Sequence, residues 1–127
     1  MKKHVTQMTP EELDLLLSEF QKVDPELWVI SRYCNKRLDE RRINPFHLLE
    51  LITDHRIIEY HHPEDGSHRI LLRGRPHNRR ELCAVFNLSN GQVVTLWTNW
   101  VGNQHQNLDW SEYDERCCIL SKLKGGR

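Results

Sequence analysis

The stretch RINPFHLLELITDHRIIEYHHPEDGSHRILL, residues 42–72, contains the change of pattern that decides the fold. Asn44-Pro45 is a helix-start signal, and the apolar residues after it recur at helical spacing as far as Ile52. From Arg56 the apolar residues follow the period of a strand, and Pro63–Gly66 has the composition of a turn. The chain therefore passes from helices into an antiparallel sheet, which predicts an α+β fold.

Two further helix starts precede this stretch. Thr9-Pro10, with Glu12 at the capping-box position, predicts a helix over residues 10–22. Asp24-Pro25 repeats the signal and predicts a second helix that ends near Arg41. With the helix that follows Asn44-Pro45, the sequence predicts three helices before the sheet.

Four strands are predicted after the third helix. Period-2 segments and the hairpin signal Asn90-Gly91 place these strands at residues 57–60, 68–73, 82–88 and 92–99. Gly74–Arg80 is predicted to be a basic loop, and residues 109–123 a last helix after a polar loop. We therefore expect N-terminal helices packed on a four-stranded antiparallel sheet, followed by a short C-terminal helix.

The length of 127 residues predicts a single domain with its own core. We divide it into an N-terminal helical extension (1–23), a core (24–100) and a C-terminal loop, helix and tail (101–127). The sequence has neither a long apolar run nor the apolar segment of a signal peptide, so we expect no membrane association and a cytoplasmic location.

The four cysteines give no sign of a metal centre. No pair has CxxC spacing, and the adjacent Cys117 and Cys118 fit tetrahedral zinc poorly. Reduced, structural thiols are the expected state for a cytosolic chain. The sequence also lacks HExxH, a P-loop and GxGxxG, so we expect neither a metal nor a cofactor.

The segment HRILLRGRPHNRR, residues 68–80, contains five arginines in a chain whose formal net charge is zero. Strand period places Arg69 and Arg73 on one face, while Arg75, Arg79 and Arg80 belong to the predicted loop. Guanidinium groups bind phosphate oxygens bidentately, so the segment indicates a phosphate-binding surface. The alternative is that these arginines cover an exposed sheet face and pair with acids from the helices.

Two other patterns could extend this surface. Arg37 and Arg41 are four residues apart and share one face of the second helix. Thr95, Trp97 and Asn99 share one face of the last strand, where an indole beside hydrogen-bonding groups can stack and orient a base. The alternative for the tryptophan is a place in the core.

Histidines lie close to these basic segments. His61 ends the first predicted strand and His68 begins the second, so the two can meet across the turn, and His105 lies in the polar loop. Histidine is the usual proton carrier in RNA cleavage without a metal, because its pKa is near neutrality. Each of these histidines could equally be an ordinary surface residue.

Residues 31–44, SRYCNKRLDERRIN, resemble the arginine-bearing helix and turn of small domains related to the RelE and ParE toxins. The arginine-bearing strand, the Asn-Gly hairpin and Thr95-Leu96-Trp97 extend the resemblance over roughly residues 30–100. It implies the fold of the barnase–EndoU–colicin–RelE superfamily, in which helices pack on a small antiparallel sheet. It also implies metal-independent ribonuclease activity of the toxin type.

With this resemblance, the sequence predicts an endoribonuclease that grips RNA with arginines. The predicted catalytic residues are His68, His61, Arg69, Arg73 and Thr95. The predicted substrate-binding residues are Arg75, Arg79, Arg80, Trp97, Asn99, Arg37, Arg41 and His105. RNA is the expected partner, with a cognate antitoxin or a host protein as a further partner.

Two alternatives to the enzyme stay open. One is a non-enzymatic binding module encoded by a phage or prophage, which uses the basic face on nucleic acid or on a host protein. The other is an inhibitor of a host enzyme in the manner of ParE. The helix at residues 10–22 is an addition to a compact RelE-like domain, and the segment after Trp100 is longer than in such domains.

Overall fold

The computed structural model describes residues 1–103 and 109–124, which form an α+β fold as the sequence predicts. Its α-helices are α1 (Pro10–Gln21), α2 (Arg32–Glu40), α3 (Pro45–Thr53) and α4 (Ile119–Lys124). Its strands are β1 (Lys2–His4), β2 (Val29–Ile30), β3 (Arg56–His61), β4 (Arg69–His77), β5 (Arg80–Asn87) and β6 (Gln92–Trp100). None of the helices in these two ranges is long and apolar enough to cross a bilayer.

The sheet has six strands where the sequence predicts four. Their order is β1-β3-β4-β5-β6-β2, and the neighbours are antiparallel except for β2 with β6. The two additional strands are the edges, and they are only three and two residues long. Strands this short show almost no period-2 pattern in the sequence. Their geometry comes from hydrogen bonds to the neighbouring strand, and the Val29 N–H, for example, donates to the Gly91 carbonyl at 2.9 Å.

Two of the three predicted helix starts are confirmed. At α1 the Thr9 hydroxyl accepts from the Glu12 N–H at 3.2 Å, and the Glu12 carboxylate accepts from the Thr9 N–H at 3.0 Å, which is the expected capping box. At α3 the Asn44 side chain accepts from the Phe46 N–H at 3.0 Å. Because caps depend on local chemistry alone, sequence identifies them well.

The second predicted helix begins later than expected. Asp24-Pro25 starts only the 3-10 turn Pro25–Leu27, and β2 follows it. The α2 helix begins after Ser31, whose hydroxyl accepts from the Cys34 N–H at 3.0 Å. Of the apolar residues between these two caps, Val29 and Ile30 therefore form an edge strand, and Leu27 lies in the 3-10 turn, not on a helix face.

The predicted basic loop is also corrected, because it is part of a β-hairpin. The β4 strand continues to His77, and β5 begins at Arg80. Asn78 and Arg79 connect them with φ of 52° and 64°, as in a two-residue type I′ turn. The other predicted hairpin, around Asn90-Gly91, is confirmed, and Gly91 has the φ of 71° that favours glycine.

The helices pack on one face of the sheet and form the main core with it. The predicted alternation in β4 is confirmed, since Ile70 and Leu72 enter this core while Leu71 lies on the opposite face. We call that opposite face the far face; it holds a small apolar cluster with Ile58 and Cys83. The fully buried members of the main core include Leu16, Cys34, Tyr60, Ile70, Leu72, Ala84, Phe86, Val93, Leu96 and Ile119.

The C-terminal helix is shorter than predicted. The 3-10 turn Trp110–Glu112 comes first, and α4 spans only six residues. The Glu12 carboxylate accepts from the Ile119 N–H and from Lys3 Nζ, both at 2.7 Å, so one buried side chain connects β1, α1 and α4. Within the first 23 residues, β1 thus pairs with β3 and α1 contributes Leu16 and Phe20 to the main core.

Candidate nucleic-acid interface

The residues predicted to bind and cleave RNA are divided between the two faces of the sheet. Four of them line one cleft of about 270 Å³ on the far face. We call it the far-face cleft; its predicted members are His61, Arg69, Thr95 and Trp97. The pairing of β3 with β4 sets His61 directly opposite Arg69. Four of the residues that the sequence proposes for catalysis and binding therefore lie in one cleft.

The far-face cleft has a positive electrostatic environment. Lys2 also lines it, with its Nζ 3.7 Å from the Glu59 carboxylate. Burial lowers the pKa of His61, and the charges of Lys2, the N-terminus and Arg69 lower it further, against the opposing effect of Glu59. The lowered pKa favours the neutral imidazole of His61, which can accept a proton.

Arg69 is held in position by the turn that precedes it. Its Nη2 is 3.1 Å from the Asp65 carboxylate, and its Nε donates to the Ser67 hydroxyl at 3.1 Å. Hydrogen bonds from Ser67, and then the Arg69 charge, lower the pKa of Asp65. The Asp65–Arg69 pair is exposed enough for an anionic ligand to compete with it.

Arg73 does not project into solvent, in contrast to the prediction. It lies on the far face beyond Leu71, but its side chain has no exposed surface. Its Nε donates to Glu81 at 2.9 Å and its Nη2 to the Trp100 carbonyl at 3.0 Å. Arg73 therefore stabilises the fold. The alternation along β4 predicts the sheet face on which Arg73 lies, but it does not predict that the side chain is buried.

His68 lies on the helix side of the sheet, away from Arg69. Its Nδ1 is 2.8 Å from the Tyr60 hydroxyl, and its ring stacks on His62 with centroids 4.6 Å apart. Burial lowers the pKa of His68, and His62 contributes to the shift. The predicted meeting across the turn thus occurs between His62 and His68, because His61 points to the other face.

The other predicted residues are distributed around the molecule. Arg75 forms an ion pair with Asp54, and Arg37 contacts Tyr33 and Glu40. The Asn99 side chain is 3.9 Å from Cys83 Sγ on the far face. His105 lies outside the described residues.

The remaining predicted arginines lie on the helix side of the sheet. There a larger groove of about 660 Å³ runs between the α2–α3 turn and the β4–β5 hairpin. We call it the basic groove. It is lined by Arg41, Arg42, Ile43, Asn44, His47, His77, Asn78, Arg79, Arg80, Leu82, Thr98 and Trp100. Within the described chain, no carboxylate residue is among these lining residues.

Aromatic rings lie among the arginines of the basic groove. His47 and His77 stack with centroids 3.8 Å apart and an interplanar angle of 7°. His77 Nε2 is 3.1 Å from the Glu50 carboxylate, and this contact fixes the orientation of the His77 ring. The Arg80 guanidinium lies 4.4 Å above the centre of the Trp100 ring, which is 57% exposed.

Both sites contain residues that no sequence pattern identifies. Lys2 is one of them, because β1 has only three residues and therefore no recognisable strand pattern. The sequence does not single out His47, because the α2–α3 turn has the composition of an ordinary solvated surface. The helix cap at Asn44-Pro45 was the available signal, since it places His47 in the first turn of α3, but only the tertiary fold brings that turn beside His77.

The fold and these two clefts define a small α+β domain with a histidine-containing cleft on each side of its sheet. No protein-family model matches the chain, and neither a curated protein nor a solved structure matches it. The resemblance to RelE and ParE domains accordingly stays a prediction. In the described ranges, no group of three histidine, cysteine or acidic side chains is arranged to hold a metal ion.

Proposed function

We propose that the protein is a metal-independent endoribonuclease that acts in the far-face cleft. One observation carries the proposal: His61, with its lowered pKa, lines the same cleft as the cations Lys2 and Arg69. A neutral imidazole next to positive charges is suited to take a proton from a hydroxyl while an anion forms beside it.

The reaction would be an internal transfer at one phosphate. His61 accepts the proton of the ribose 2′-hydroxyl, and the 2′-oxygen attacks phosphorus. The bond from phosphorus to the 5′-oxygen breaks, and that oxygen takes a proton from water. The products are a 2′,3′-cyclic phosphate and a free 5′-hydroxyl. Arg69 and Lys2 stabilise the negative charge that develops on the phosphate oxygens.

Trp97 and Thr95 would position the nucleotide. Both side chains are partly buried on β6 and line the cleft together. The indole can stack on a base, and the hydroxyl can donate to or accept from a base edge or a phosphate.

The test is an RNA cleavage assay in EDTA, with total RNA and with a dinucleotide whose cyclic phosphate product is separated by chromatography. We expect cleavage by the native protein and a loss of about 100-fold or more in His61→Gln, because general base catalysis is removed. His68→Gln is the matched control, since His68 lies on the other face and contacts Tyr60. Equal losses in the two variants, with folds confirmed by circular dichroism, would contradict the role of His61.

A second candidate is a non-enzymatic binding module, as the sequence also allowed. It is favoured because two of the predicted catalytic residues have structural contacts: Arg73 is fully buried, and His68 is hydrogen-bonded to Tyr60. Salt-dependent RNA binding with no product in the same EDTA assay would select this candidate over the enzyme.

A further inference from the structure

We propose that the basic groove is a second RNA site, which binds the sugar–phosphate backbone of a single strand outside the far-face cleft. The choice of RNA as the nucleic acid rests on the proposed function. The binding surface itself rests on independent observations on the other side of the sheet: arginines without ion pairs, aromatic rings among them, and backbone positions with positive φ.

The first observation is the charge of the basic groove. Four arginines line it, and in the described chain neither Arg42 nor Arg79 makes an ion pair. In contrast, Arg37, Arg69 and Arg75, which lie outside the groove, have carboxylate partners. Free guanidinium groups that converge on one concave surface are the arrangement that successive phosphates require.

The second observation is the presence of rings beside these charges. Trp100 is exposed next to Arg80, and the stacked His47 and His77 rings lie in the same groove. Exposed rings stack on the faces of unpaired bases, which a duplex keeps covered. The combination of a basic track and ring faces therefore favours a single strand over a duplex.

The third observation concerns the backbone. Arg42, Asn78 and Arg79 are the non-glycine residues with positive φ in the described chain, and all three line the basic groove. Arginine with φ of 52° or 64° is unfavourable, and glycine would adopt this conformation more easily. Arginine at these two positions therefore makes the fold less stable than glycine would, and phosphate binding is a function that explains why arginine stands there.

This cost makes a sharp test possible with the double variant Arg42→Gly/Arg79→Gly. Binding is measured by fluorescence anisotropy with a labelled 2′-O-methyl single strand, which this protein cannot cleave through a 2′-hydroxyl. We expect Kd to rise about tenfold or more, since two charged hydrogen-bonding groups are lost. The slope of log K against log salt becomes shallower by about 1.4 for two lost phosphate contacts. The thermal midpoint stays the same or rises, because glycine relieves the backbone.

The matched control is Lys22→Ala/Arg116→Ala, which removes the same charge from exposed side chains outside the groove. We expect little change in Kd for this variant. Equal weakening by both double variants would show that net charge alone attracts the strand, and it would overturn the proposal. A normal Kd in the glycine variant would overturn it as well.

The single-strand preference is tested by Trp100→Ala and by a duplex of the same length. We expect the native protein to bind the single strand more tightly than the duplex, and Trp100→Ala to reduce that difference. Equal affinity for both nucleic acids would overturn the single-strand assignment. Because binding is measured with an uncleavable strand, loss of the proposed cleavage would leave this result unaffected, and each proposal can fail alone.

Discussion

Replacing Glu12 by glutamine is expected to destabilise the whole molecule, because this carboxylate lies where three elements meet. Glu12 is 2% exposed and Lys3 is 4% exposed. The carboxylate accepts from Lys3 Nζ at 2.7 Å, from the Thr9 N–H at 3.0 Å and from the Ile119 N–H at 2.7 Å. Glutamine is nearly isosteric, so the change removes the charge without creating a cavity.

The expected loss is about 3–5 kcal/mol, because the Lys3 ammonium is left buried without its counter-ion. A domain of this size has a free energy of unfolding of about 5–15 kcal/mol, so the loss is a large fraction of the total. Urea unfolding followed by circular dichroism measures it. Lys3→Met/Glu12→Gln should recover part of the stability, since the double variant buries no uncompensated charge.

The same pair makes stability depend on pH. Burial raises the pKa of Glu12, but hydrogen bonds from Lys3, Thr9 and Ile119, with the Lys3 charge, outweigh burial and lower it below the usual 4.5. The stabilisation is therefore present above the ordinary glutamate pKa, and it is lost as the pH falls through the lowered value. We expect the native protein to lose more stability on acidification than Glu12→Gln does.

The control is Glu19→Gln, which removes a carboxylate from an ion pair with the exposed Lys22. Its effect should stay within about 1 kcal/mol, as for other surface pairs. If Glu12→Gln is as mild as this control, or if its acid unfolding follows that of the native protein, the proposed role of the buried pair is wrong.

Three further predictions follow from other sites. Arg73→Met should cost at least about 2 kcal/mol in urea unfolding, because it removes one partner of the buried Glu81; a change below about 1 kcal/mol would contradict this. Gly74→Ala should lower the free energy of unfolding by about 1–3 kcal/mol in the same assay, since the new Cβ would lie 3.0 Å from Leu51 Cδ1. Unchanged stability would contradict this, because the Leu51 side chain would then move aside without an energetic cost. If cleavage is observed, the acid limb of its pH–rate profile should lie below the ordinary histidine pKa of 6.5, because His61 must be neutral to act and its pKa is lowered; a limb above that value would exclude His61 as the base.

Sequence predicts those parts of this fold that depend on local chemistry. The caps at Thr9 and Asn44, the Asn90-Gly91 hairpin and the alternation of Ile70 and Leu72 each involve residues a few positions apart. The edge strands were missed because their hydrogen-bond partners are distant in the chain, as Lys2 is from His61. The tip of the β4–β5 hairpin resembles a loop in the sequence, because Asn78-Arg79 lacks the glycine that usually marks a type I′ turn.

In the candidate sites, too, the features that depend on neighbouring residues can be predicted, and those that depend on distant residues cannot. A single short turn connects β3 and β4, so the sequence predicts that His61 meets the start of the next strand; it names His68 as the partner, whereas the structure sets His61 opposite Arg69. The burial of Arg73 could not, since it depends on Glu81 and on the Trp100 carbonyl in two other strands. The basic groove was equally hidden, because His47 and His77 meet only after α3 has packed on β4.

The contact of Glu12 with Ile119 has a consequence for the order in which the protein matures on the ribosome. The two residues are 107 positions apart, so Glu12 is synthesised long before its last hydrogen-bond donor exists. At about 5–20 residues per second, the interval is about 5–20 s. During that time the nascent chain can pair β1 with β3, but the α1 carboxylate lacks its third donor. Completion of this buried junction therefore has to wait for the synthesis of Ile119, and a chain stalled before Ile119 carries an incomplete core.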